Sequence, residues 1–173
     1  KEWNAEKGTI DASAITEADC IVHLAGANVA DGRWTKKRKQ EIIDSRVKSG
    51  ELLVKALQQH PNKVRAVVSA SAQGWYGPDP QVPNPAPFTE TDPPHTDFLG
   101  TTCKAWEDAI APVAQLGNRL VTFRIGIVLS TAGGAYAEFK KPVSMGAATI
   151  LGNGKQVVSW IHIRDLTRLF TAA

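Results

Sequence analysis

Cys20-Ile21-Val22-His23-Leu24-Ala25-Gly26 is the stretch on which the fold turns. It is a short apolar run that breaks into small residues, the pattern of a buried strand entering a turn. Working outward, Thr35 to Leu57 carries Ile42, Ile43, Val47, Leu52, Leu53, Val54 and Leu57 at helical spacing. That spacing predicts one long helix or two abutting ones, with Thr35 as N-cap. Arg65 to Ser71 predicts a second buried strand. Pro78 to Pro94 holds seven prolines, which excludes helix and predicts a long loop. A helix follows over Leu99 to Leu116, and Leu120 to Leu129 predicts a third strand. The remainder to Trp160 reads as glycine-containing loops, with a turn at Gly152-Asn153-Gly154, and Asp165 caps a terminal helix. Strands apolar throughout and alternating with helices predict an α/β fold: a doubly wound parallel sheet in three α/β/α layers. Ile21–Leu24, Arg65–Ser69 and Leu120–Ile125 should be adjacent and parallel, joined by right-handed crossovers.

The length of 173 residues suits one domain. Hydrophobic content of 43% and charged content of 21% are those of ordinary globular proteins. A net charge of +3 gives no argument for nucleic acid. The longest apolar runs are strand-sized, so no membrane partner is expected. Cys20 and Cys103 match no metal spacing and, together with scattered His23, His60 and His95, predict no metal site. A reducing, cytoplasmic compartment is the default, and oligomeric state stays open. Lys1 is not a Met and the chain stops at Ala172-Ala173 inside an apparent helix, so the expectation is a fragment.

Several segments together resemble the NAD(P)-dependent epimerase/dehydratase branch of the short-chain dehydrogenase/reductases, whose fold is Rossmann-like. His23-Leu24-Ala25-Gly26 resembles the end of that family's fourth strand. Ser69-Ala70-Ser71-Ala72-Gln73-Gly74-Trp75-Tyr76-Gly77 resembles its fifth strand and serine loop, and Phe123 to Leu129 its sixth. Trp160-Ile161-His162-Ile163-Arg164-Asp165-Leu166 is similar to a late segment of the family. Arg33-Trp34, Asp44-Ser45-Arg46-Val47 and Trp106-Glu107 resemble the atypical subgroup called epimerase family proteins. The resemblance implies an NADP(H)-dependent oxidoreductase or epimerase acting on a small metabolite, or a non-catalytic NADP(H)-binding regulator. It also implies substrate-side loops at about 78–97 and 130–160. The family's glycine-rich G-x-x-G-x-x-G turn, which meets the pyrophosphate, is not among these residues. An N-terminally truncated sheet, without the family's first two strands, is therefore expected.

The family's tyrosine and lysine positions fall on Leu99 and Cys103, and its asparagine position on Arg46. Neither Leu99 nor Cys103 can do the work of that tyrosine and lysine. Ser71 remains as the candidate catalytic hydroxyl, the alternative being a hydroxyl that satisfies strand-end backbone. The resemblance implies cofactor contacts from Leu24, Ala25, Gly26, Arg46 and Val128, with Glu41 a weaker candidate for the same cleft. Arg46 could instead pair with Asp44 or Glu41 at the surface. Tyr136-Ala137-Glu138-Phe139-Lys140 fits Tyr-x-x-x-Lys by spacing but follows the sixth strand, so an ordinary helix turn is expected there. Tyr76 reads as a packed aromatic, Cys103 as a small buried apolar residue, and His162 as a core histidine. The basic run Arg33 to Lys39 reads as a solvated helix start.

Overall fold

The structure, a computed structural model, describes residues 1–82, 84–147 and 154–173. It opens with a small hairpin, β1 (Trp3–Asn4) antiparallel to β2 (Thr9–Ile10), and a single turn of helix, α1 (Ser13–Thr16). There follow β3 (Cys20–His23), α2 (Lys36–Gln59), β4 (Ala66–Ala72), a 3₁₀ turn at Gln73–Trp75 and α3 (Phe98–Ile110). A further 3₁₀ segment, Ala111–Leu116, leads to β5 (Arg119–Ile125) and β6 (Ile127–Leu129). The chain then forms α4 (Ala135–Ser144), β7 (Trp160–His162) and α5 (Ile163–Ala172).

The three expected strands are adjacent and parallel in the order β3-β4-β5. Ile21 pairs with Val67, and Val67 with Leu120. The long helix is one piece. Thr35 Oγ1 accepts from Arg38 N at 3.2 Å and caps it. It stops at His60, which precedes Pro61 and adopts extended backbone, as a residue before proline tends to. Asp97 caps α3 by accepting from Gly100 N at 2.7 Å. This helix ends at Ile110 rather than Leu116. Pro112 has no N–H to continue the ladder, so the chain tightens into 3₁₀ turns closed by left-handed Gly117.

Period-two alternation puts Ile21, Val67 and Leu120 on one sheet face, where they pack with Leu53, Leu57, Ile110 and Val113 of the helical side. Phe123 points to the other face and meets Phe170 of α5 at 5.0 Å between ring centroids. The result is helix, sheet, helix, the three-layer order expected. β3 differs from the expected buried strand. It is the sheet's edge, and Val22 and Leu24 on the second face are 52% and 61% exposed. An apolar pocket of about 280 Å³ lined by Trp3, Ile10, Ile21, Val22, Leu24 and Leu53 runs beside it.

The third strand also departs from a continuous Leu120–Leu129. It breaks at Gly126, and β6 leaves to pair in parallel with β7, Val128 opposite Ile161. Ile127 N donates to Ser159 O at 2.8 Å, and a Cβ on Gly126 would lie 2.6 Å from that same oxygen. Only glycine permits so close an approach. Asp165 is not the cap of α5. His162 is, its Nδ1 accepting from Arg164 N at 3.3 Å, with Asp165 in the first turn. His162 is exposed and is not a core histidine. Of the expected turn at Gly152-Asn153-Gly154, the first two residues lie outside the described residues.

Candidate functional site at the carboxyl ends of the strands

In an open parallel sheet, loops leaving the carboxyl ends of the strands form a crevice, and ligands bind there. Here that edge gathers Leu24-Ala25-Gly26 after β3, the Gln73–Trp75 turn after β4 and Gly126 after β5. Leu24 is exposed, Ala25 is half-buried and Gly26 is exposed.

Arg46 comes to this edge from the middle of α2. Its Nη1 donates to Ala27 O and Ile42 O, each at 3.0 Å. The guanidinium lies against Gly26 and over the Trp106 ring, 4.8 Å from its centroid. Burial lowers its pKa from the ordinary arginine value. The surface ion pair does not form. Asp44 instead takes Lys48 at 2.8 Å and Gln40 at 2.6 Å, and Glu41 takes Arg38 at 3.1 Å. Glu41 is exposed near the start of α2. Ser45 Oγ, next in sequence, accepts from Ala27 N at 2.9 Å and fixes the turn after β3 to the helix.

Ser71, 3% exposed at the end of β4, does not satisfy strand-end backbone. Its hydroxyl donates to Glu107 Oε1 at 2.6 Å. Arg124 of β5 grips the same carboxylate with two nitrogens, Nε to Oε1 at 2.9 Å and Nη2 to Oε2 at 3.0 Å. Bidentate geometry of this kind is the strong form of the Arg–carboxylate pair, and bonding to Glu107 raises the Arg124 pKa above its ordinary value. Arg124 also donates to Tyr76 Oη at 3.2 Å and Glu90 O at 3.0 Å, and its Cζ lies 3.6 Å from the Trp75 ring centroid. With Trp75 Nε1 donating to Asp92 O at 2.8 Å, these bonds pin the proline-rich loop to the turn after β4. Tyr76 is packed as expected, stacked on Phe88 at 5.1 Å. Sequence reasoning missed Glu107 and Arg124 as partners of Ser71. Both lay inside quoted motifs, but a lone Glu on a helix and an Arg in a strand carry no pairing signal.

The face of α3 that bears Leu99 and Cys103 is filled. A Cβ at Gly74 would lie 3.0 Å from Leu99 Cβ and 3.7 Å from Cys103 Sγ. The Cys103 thiol is buried, its pKa pushed up by burial, with Ala72 O at 3.6 Å. Tyr136 and Lys140 sit on exposed α4, an ordinary helix turn. Val128 is half-buried in the β6–β7 pair, apart from the three-stranded sheet. His23, by contrast, is 4% exposed between Ser69 Oγ at 3.1 Å and Ser49 Oγ at 3.0 Å. Burial lowers its pKa to about 4, so it is neutral in the fold. Among the described residues no cluster of three or more His, Cys, Asp or Glu could hold a metal, and no helix is long and apolar enough to cross a membrane.

A parallel sheet with small residues at one strand end, a half-buried arginine on the following helix and a serine on the neighbouring strand defines a Rossmann-like α/β protein. The chain belongs to the NAD dependent epimerase/dehydratase family, which it matches over residues 3–173. It is 38% identical over 166 residues to an epimerase family protein of Mycobacterium bovis, covering 96% of this chain and 53% of that protein. Human epimerase family protein SDR39U1, solved with NADPH, superposes with a TM-score of 0.81 at 30% identity, over 92% of this chain and 54% of that one. A nucleoside-diphosphate sugar epimerase from Corynebacterium glutamicum gives 0.82 at 31% identity, over 100% and 35%. The chain thus spans about half the length of the curated relatives it matches.

Proposed function

We propose that this chain forms the strand-end part of an NADP(H)-binding protein that reduces, oxidises or epimerises a small metabolite. The observation that carries this reading is Arg46, a half-buried guanidinium held at the strand-end crevice with no carboxylate beside it among the described residues. A cation so placed suits the oxygens of a dinucleotide, and the human relative is described with NADPH. Leu24, Ala25 and Gly26 supply backbone along the cofactor, Val128 lines the far side, and Glu41 stands at the rim. When bound, the nicotinamide supplies hydride chemistry.

Ser71 is the residue we assign to the substrate. In the resting arrangement its hydrogen goes to Glu107, so it offers lone pairs. To hydrogen-bond a carbonyl oxygen it must rotate away from Glu107, whose charge stays compensated by Arg124. The loops at about 78–97 and 130–160 border the substrate side. One observation favours a second reading, a non-catalytic NADP(H)-binding regulator. Leu99 and Cys103 are packed under Gly74 and leave no acid–base pair on α3. The test is the full-length protein with NADPH or NADP⁺ and a panel of sugar nucleotides and small carbonyl compounds. Reduced nicotinamide is followed by absorbance and epimer ratios by NMR. Turnover above the protein-free rate that falls in Ser71→Ala supports the enzyme. Saturable NADPH binding without turnover supports the regulator.

A further inference from the structure

Gly26, Trp106 and two backbone carbonyls meet the Arg46 guanidinium. A Cβ on Gly26 would stand 3.0 Å from Arg46 Cζ and 3.2 Å from both terminal nitrogens, so a methyl group there would press on the guanidinium and shift it by a few tenths of an ångström. The Trp106 ring also lies against the guanidinium, at a cation–π distance of 4.8 Å. Two carbonyls, Ala27 O and Ile42 O, hold the single nitrogen Nη1. Nη2 and Nε have no acceptor among the described residues. Trp106 is 6% exposed, and unlike the half-buried Arg46 its Nε1 is fully buried without an acceptor among them. Buried donors left without acceptors are costly, and such groups in native folds call for an oxygen from water or a ligand. Arg46 Nη1 holds Ala27 O in the turn after β3, so this donor pair lies at the strand-end crevice.

We propose that Gly26 and Trp106 are positioning residues that lock the Arg46 guanidinium flat. Its two unengaged nitrogens then bind ribose or diphosphate oxygens common to NADPH and NADH, not the 2′-phosphate that distinguishes them. The inference rests on the cofactor reading above and adds which part of the cofactor is held and what holds the arginine. A lysine cannot replace this group: an ammonium on a flexible stem has no plane to lay on the Trp106 ring and no fork to present.

The test is calorimetric titration of the full-length protein with NADPH and, separately, NADH, for wild type, Arg46→Lys, Gly26→Ala and Trp106→Phe. Thermal melting checks each fold. Arg46→Lys and Gly26→Ala should each weaken both dinucleotides about ten- to hundredfold, the loss expected for charge-assisted bonds, and to the same extent for both. Trp106→Phe should cost less, about two- to tenfold. Should Gly26→Ala fail to fold, Arg46→Lys carries the test. Wild-type binding with Arg46→Lys unchanged would make the clamp purely structural and leave the cofactor reading standing. A loss confined to NADPH would move Arg46 to the 2′-phosphate and overturn the inference. Absence of wild-type binding to either dinucleotide would remove both.

Discussion

Replacing Glu107 by Gln should destabilise the protein by about 2–3 kcal/mol. The substitution keeps the volume and deletes one charge. Breaking a fully buried pair from one side costs about 3–5 kcal/mol, because the remaining charge is left uncompensated. Here the Arg124 and Glu107 side chains are 16% and 18% exposed, so some of that charge can be resolvated. Arg124 also keeps Tyr76 Oη, Glu90 O and the Trp75 face. Both facts bring the cost to, or just below, the bottom of that range. The assay is urea unfolding of the full-length protein at neutral pH, with Glu107→Leu, Arg124→Leu and the Glu107→Leu/Arg124→Leu double variant forming a cycle. The double variant should recover much of the loss, since an apolar pair leaves no orphaned charge. Asp44→Ala, which breaks the exposed pair with Lys48, is the control and should cost under about 0.5 kcal/mol. A Glu107→Gln cost as small as the control's, or strictly additive single variants, would refute this account of the network.

Other expectations follow from single residues. His23 is held neutral, with its pKa at about 4 against 6.5 unfolded. Below pH ~6.5 the unfolded chain therefore binds more protons, and stability should fall by about 3 kcal/mol between pH 6.5 and 4, with no contribution from this group above that window. Unfolding midpoints across pH should show the slope, and His23→Gln should flatten it; equal slopes would sink the idea. Gly77 has φ +71, and a Cβ there would lie 2.4 Å from His95 Cγ. Gly77→Ala should cost about 1–3 kcal/mol and speed proteolysis within residues 78–97; an unchanged melting temperature would contradict it. Tyr136→Phe on exposed α4 should leave NADPH affinity and any turnover unaltered, and a tenfold loss in either would return that tyrosine to the site.

The three-stranded sheet was legible because each strand carries a short apolar stretch, Cys20–Val22, Ala66–Val68 and Leu120–Val121, ahead of turn residues at its end. The break at Gly126 was not. Apolar residues flank it on both sides, so periodicity reads straight through, and only the approach of Ser159 O makes glycine obligatory. The trio Trp160-Ile161-His162 alternates as a half-buried strand would, yet His162 caps a helix, and capping depends on where the helix begins. The two-residue strands of the first hairpin are shorter than any period. At the site, Arg46 and Ser71 could be picked out by position in a resembled motif. Their partners could not, because Glu107, Arg124 and Trp106 meet them only after the crossovers bring distant residues together.

Hydrogen exchange of the full-length protein, with and without NADPH, tests the placement of the cofactor most directly. Amides that move to slower exchange should cluster at the carboxyl ends of the strands, in residues 24–27 and 71–75. α4 and the opposite strand ends around Asp19, Arg65 and Arg119 should be unaffected. Protection appearing at those opposite ends, with residues 24–27 and 71–75 unchanged under saturating NADPH, would contradict the account.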